Sequence, residues 1–143
     1  MDELQAFRNE ISNYNFYVEK IIKIKEEIDD KYYELFGVRG VDPSKESLEN
    51  KNNNAIELKR LESIEKFDLF KKEKEDEIKR LKSQIDYILK VLNQMDPLTS
   101  KIFISIYINN KSYAETCLRL NLIDSDNKPK IGELQYIMKK AFM

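Results

Sequence analysis

The side chains with chemistry to offer are few and mostly of one kind. There is no histidine and a single cysteine, Cys117. Zinc and similar metals need several imidazole or thiolate ligands converging on one point, so only carboxylates could hold an ion. The same counts remove a Ser-His or Cys-His nucleophile and an imidazole general base. The acidic runs Glu26-Glu27 with Asp29-Asp30, and Glu73 to Glu77, have the spacing of solvated helix surface laced with i,i+4 ion pairs. Gly37-Val38-Arg39-Gly40 lacks both the preceding strand and the Lys-Ser/Thr of a phosphate loop. No catalytic residue, metal or cofactor is expected, and the chain does not read as an enzyme. What remains is a set near the C-terminus: Lys128, Lys130, Gln135, Tyr136, Lys139 and Lys140. At helical spacing they share an exposed side with Glu133. Lysines there can neutralise phosphates, while Gln and Tyr can reach base edges in a major groove.

The charge distribution points to the same end of the chain. Over the 143 residues, 25 Lys and Arg face 26 Asp and Glu, which is not the footprint of a bulk nucleic-acid coater. From Pro97 onward, however, seven basic residues face four acidic ones, so this part carries about +3 and the preceding 96 residues about −4. Cys117 cannot form an internal disulfide, and neither an N-terminal apolar h-region nor an apolar run of about 18 residues is present. A soluble protein in the cytoplasm of a bacterial host cell is expected, with no membrane partner.

The elements that must position this set read as helices throughout. Leu4, Phe7, Ile11, Tyr14, Val18, Ile21, Ile28, Tyr32 and Leu35 recur three and four residues apart, with Lys25 out of pattern, predicting one helix from about Asp2 to Phe36. At about 1.5 Å per residue it is about 50 Å long and needs a long partner. Ile64, Phe67, Ile78, Leu81, Ile85, Ile88, Leu92 and Met95 supply one, a helix from about Asn54 to Met95 in which Lys71 and Lys74 interrupt the seam. Lysines at seam positions can set register at a cost in stability. The expected architecture is all-α: residues 1–95 a long antiparallel helical hairpin or coiled-coil stem with a loop at about 37–53, and residues 96–143 a three-helix unit. Leu4, Phe7, Ile11, Tyr14, Val18, Ile21, Ile28, Ile78, Leu81 and Ile85 are the candidate oligomerisation residues, and a homodimer is the expected assembly.

In the C-terminal unit, Asp96-Pro97 opens a helix carrying Leu98, Ile102, Phe103, Ile106 and Tyr107. Ser112-Tyr113-Ala114-Glu115 is a capping box before a short helix, with Ala114, Cys117, Leu118 and Leu120 inward and an end near Asn121. Pro129 sits near the first position of a last helix with Ile131, Leu134, Ile137, Met138 and Ala141 as its apolar stripe. A small residue where two helices cross, Cys117 or Ala114, and apolar Leu122 after the turn fit a helix-turn-helix.

The string Leu92 to Pro97, then Ile102 to Tyr107, then Lys111 to Cys117, resembles the region-4 helix-turn-helix of sigma factors. It is more similar to small phage and prophage transcriptional regulators of the ArpU and RinA type, many of which carry an N-terminal helical hairpin. Tyr33 to Val41 is similar to a turn of that group. Where the family passes between its last two helices through a tight turn, Asn121 to Pro129 is about four to seven residues longer and holds Asp124 and Asp126. The resemblance implies a phage-derived regulator that binds double-stranded DNA, with RNA polymerase as a second partner. The plainer alternative is a three-helix cap on the stem with solvated lysines. A different class is also open: an interaction module inhibiting a host or defence protein through the stem. A small terminase subunit fits less well, since its helix-turn-helix usually comes first.

Overall fold

The computed structural model describes residues 2–37 and 53–143, so the loop expected at about 37–53 lies outside the described residues from 38 to 52. The fold is all-helical. The described residues form α1 (Glu3–Ile11), α2 (Tyr14–Phe36), α3 (Asn53–Gln94), α4 (Pro97–Phe103) continued by a π-helical segment (Ile104–Ile108), α5 (Tyr113–Arg119) and α6 (Ile131–Lys140). Among them there is no β-strand, only an isolated antiparallel bridge between Ile123 and Pro129.

The single helix expected from Asp2 to Phe36 is two helices. Asp2 caps the first, its carboxylate accepting the Gln5 N–H at 2.7 Å. Ser12 and Asn13 then compete for the backbone: Ser12 Oγ and Asn13 Nδ2 both donate to the Asn9 carbonyl, at 2.8 and 3.1 Å. Short polar side chains offer the chain an alternative to the helix ladder, and two in succession interrupt it. Asn13 restarts the helix, its carbonyl accepting the Tyr17 N–H at 2.9 Å. Beyond this break the inward frame runs through Tyr17, Ile21 and Ile24, which are buried, so Ile24 occupies the place expected for Lys25. Lys25 is exposed.

The chain divides into two compact units, Met1–Glu19 with Leu81–Met143, and Lys20–Arg80, so the boundary expected at 95/96 falls inside the first. Unit one is built around Phe7. Its ring meets Phe103 edge-on at 5.2 Å, and Phe142, just past α6, lies against both, at 5.4 and 6.1 Å. Ile11, Ile88, Ile102, Leu134 and Met138 complete a core of fully buried side chains. Each such side chain contributes about 1.5–3 kcal/mol by leaving water. Unit two is held by Ile21, Ile24 and Ile78, by ring contacts among Tyr32, Phe36 and Phe67, and by ion pairs Lys20–Glu77 (3.7 Å) and Lys74–Glu27 (2.9 Å). Phe70 is half-buried and Lys71 exposed, so the frame passes through Phe70 and not Lys71. Lys71 instead pairs along α3 with Glu75 at 3.8 Å.

Of the ten candidate oligomerisation residues, Phe7, Ile11, Ile21, Ile78 and Leu81 are buried within this one chain. Leu4, Tyr14, Val18, Ile28 and Ile85 are half-buried. Half of the stripe is thus buried in the chain's own packing.

Candidate nucleic-acid interface

The local chemistry that starts α5 is the expected capping box: Ser112 Oγ accepts the Glu115 N–H at 3.0 Å. Thr116 reinforces the turn. Its Oγ1 donates to the Ser112 carbonyl at 2.8 Å and lies 2.8 Å from Ser105 Oγ, a buried hydroxyl pair joining α5 to the π segment. The wider π turn carries through its own end, where the Asn109 N–H reaches back to the Ile104 carbonyl at 2.9 Å and Asn110 takes φ 56°. At the other end of α5, Asn121 adopts φ 61° and the Leu122 N–H donates to the Cys117 carbonyl at 2.8 Å, a Schellman closure. Cys117 is fully buried, and burial raises its pKa. Leu118, expected inward, is exposed because α5 turns only Thr116 and Cys117 fully into the core.

The long connection is a miniature hairpin. Lys130 N–H donates to the Leu122 carbonyl at 2.8 Å, and Asp124 N–H to the Lys128 carbonyl at 3.0 Å. Inside the loop, Asp124 Oδ1 accepts both the Asp126 and Lys128 N–H groups, at 2.8 and 3.0 Å, and Asn127 turns the chain at φ 60°. Pro129 therefore lies in the bridge with Ile123, and α6 begins at Ile131 with Lys130 as its N-cap, two residues later than expected. One of the two loop acids, Asp124, is engaged as a turn acceptor.

α6 is held by one face. Leu134 and Met138 are 0% exposed, while Ile131 and Ala141, expected in the stripe, lie outside the core. The six candidate residues Lys128, Lys130, Gln135, Tyr136, Lys139 and Lys140 are all exposed, Tyr136 to 57%. Lys130 pairs with Glu133 at 3.5 Å, whereas Lys139 and Lys140 occupy the last turn, where cations also favour the helix dipole. Two residues escaped the sequence reading. Gly132 is exposed in the first turn of α6, and a methyl built on it meets nothing within 4 Å. Arg8 stands in the last turn of α1, half-buried. A glycine inside a helical pattern was the signal for the first; the second gave none, since it depends on tertiary neighbours.

Carboxylates of the acidic runs form ion pairs, Glu27 with Lys74, Glu75 with Lys71 and Glu77 with Lys20. Glu27 is bound by Lys74, which holds its carboxyl below the usual range, and the described residues contain no group of three or more metal-ligating side chains. Nor is any described helix long and apolar enough to cross a membrane. Comparison with known protein families, with characterised proteins and with solved structures finds no match.

Proposed function

We propose that this chain is a phage-derived, DNA-binding transcriptional regulator, with α5, the Leu122 to Lys130 connection and α6 acting as a helix-turn-helix. The observation that carries it is α6 itself, anchored through Leu134 and Met138 while Gln135, Tyr136, Lys139 and Lys140 face outward. In this reading the lysines neutralise phosphates and set register, and Gln135 and Tyr136 read base edges. α2 and α3 form an antiparallel hairpin stem. Lys20–Glu77, Glu27–Lys74 and Tyr32–Phe67 support it, since the paired positions fall along α3 as they rise along α2. A homodimer formed through the hairpin stem would set two α6 helices on two half-sites. RNA polymerase is a second partner if the regulator acts as sigma region 4 does.

The test is duplex binding at low salt, using DNA upstream of the chain's own gene. Wild-type protein should bind with log K falling by about 5 per decade of salt for six phosphate contacts per dimer. Lys139→Glu with Lys140→Glu should abolish binding. A second reading, an interaction module that touches no DNA, is favoured by Leu58, Leu61 and Leu69, all exposed on α3. Wild-type protein that leaves the duplex unshifted supports it.

A further inference from the structure

The apolar stripe of α6 ends short and leaves a groove. Ala141, at the C-cap, is too small to fill the space between Ile137 and the start of α4, while the larger Phe142 packs against Phe7 and Phe103. The groove has a volume of about 490 Å³ and lies within unit one. Its floor is Met95, Leu98 and Ile137, all half-buried. Space of this size, with an apolar lining and a few polar groups, is what a small-molecule site requires.

Three polar side chains line it. Thr99 is 6% exposed, and its hydroxyl makes no hydrogen bond among the described residues. Of the polar side-chain atoms there without a partner, only Arg8 Nε is sealed from solvent. The exposed part of Thr99 therefore includes its hydroxyl oxygen, which opens into the groove. Buried hydroxyls are normally hydrogen-bonded, so one that meets only a groove is open to a group that enters it. Lys140 reaches the groove from the last turn of α6 and makes no ion pair among the described residues. Asp96 reaches it from the start of α4: Oδ2 accepts the Leu98 N–H at 3.3 Å, and Oδ1 accepts from no described residue.

Two donors, a hydroxyl and an ammonium, thus share an apolar floor with one carboxylate. A lone anion would suit Thr99 and Lys140 but be repelled by Asp96, and a lone cation would meet the reverse. A ligand with both charges close together, beside an apolar side chain, satisfies all three. We propose that this groove binds an apolar α-amino acid. Its carboxylate accepts from Thr99 Oγ1 and the Lys140 ammonium, its ammonium donates to Asp96, and its side chain lies on Met95, Leu98 and Ile137. Lys140 also belongs to the proposed DNA surface, so an occupied groove would draw it away from phosphate. The amino-acid site itself does not depend on DNA.

The probe is L-phenylalanine, titrated into the full chain with carbon-labelled methyl groups. Saturable shifts should appear in the Met95, Leu98, Ile137 and Ala141 methyls, with a dissociation constant of about 1 mM, and not in those of Leu58 and Leu61. N-acetyl-phenylalanine lacks the ammonium and phenylalanine amide lacks the carboxylate; each should bind about fivefold more weakly. Thr99→Val keeps the side chain's shape and should weaken the free amino acid about tenfold. Lys140→Gln should cost about fivefold, since the pair is exposed, and Asp96→Asn, which keeps a helix cap, a similar factor. Ala141→Leu should fill the groove and abolish the shifts. Thermal melts and the Leu134 methyls check the fold of each variant, and if Ala141→Leu does not fold, Thr99→Val decides. No saturable shift in the groove methyls overturns the site. Equal affinities for the free, acetylated and amidated forms overturn it too, by showing apolar contact alone. So does wild-type affinity in Thr99→Val, and so do shifts that spread equally to Leu58 and Leu61.

Discussion

Gly132 separates packing from function more cleanly than any other residue of α6. A methyl there meets nothing within 4 Å, so no neighbour in the chain requires glycine. Glycine inside a helix costs about 0.5–1 kcal/mol relative to alanine. Gly132→Ala should therefore raise the melting temperature by roughly 1–4 °C. If the bare backbone serves close approach to DNA, the same variant should bind duplex more weakly; paired melting and affinity measurements decide it, and a stabilised variant with unchanged affinity removes Gly132 from the interface. Glu27 offers a second residue-level test. Its pKa is lowered by the hydrogen bond from Lys74, opposed in part by burial. A depressed carboxylate adds stability that is present above its unfolded pKa and lost as pH falls through the folded one, hence below the ordinary carboxylate range. In a carbon-detected titration the Glu27 carboxyl should lose its proton at lower pH in wild type than in Lys74→Met. Identical titration curves would show that the 2.9 Å pair is not populated in solution.

Among the elements, the π segment is the one that local sequence could not announce. Ile102 to Tyr107 reads as ordinary helix, and what widens it is tied to a tertiary contact, Ser105 against Thr116, eleven residues apart. Thr116→Val keeps the shape of the side chain but leaves the buried Ser105 hydroxyl without this partner. It should cost about 1–3 kcal/mol by chemical denaturation. Adding Ser105→Ala should recover part of that loss, because the stranded hydroxyl is gone, and additive single losses would show the pair is uncoupled. Elements with local signals were legible in advance: Asp96 caps α4 by accepting the Leu98 N–H at 3.3 Å, and Ser112 caps α5 as its spacing predicts. Ser12-Asn13 was visible but was outweighed by a heptad count that spans the break. Helical period accounts for Gln135, Tyr136, Lys139 and Lys140 on α6, whereas Lys128 lies in the preceding turn and Lys130 is the N-cap. The Leu122 to Lys130 hairpin and the Phe142 contact did not, since each needs neighbours that only the folded chain assembles. Counting sevens puts Lys71 and Lys25 at seam positions, and a one-residue shift to Phe70 and Ile24 removes both cations from it.

At the scale of the molecule, burial is distributed unequally between the two units. Among the described residues the largest fully buried side chains, from Phe7 to Met138, all belong to Met1–Glu19 and Leu81–Met143. Lys20–Arg80 relies on Ile21, Ile24 and Ile78 together with half-exposed rings and ion pairs, and exposed pairs of this kind stabilise weakly. Local opening free energy follows buried apolar contact, so the two units should open at different cost. Native-state hydrogen exchange on the full chain should find the slowest amides in α4 and around Leu134, and fast exchange along α3 from Ala55 to Lys66, where side chains are mostly exposed. Uniform protection along α3 would mean that unit two gains support from contacts the chain does not make by itself, such as a second copy. The same measurement bears on function, because a ligand that binds the native form stabilises it by about 2.7 kcal/mol at a hundred times its dissociation constant. With saturating duplex, the regulator reading predicts added protection in unit one, where α6 resides. An interaction module acting through the stem predicts the reverse: duplex changes nothing, and the fast amides of α3 slow only when its protein target is added.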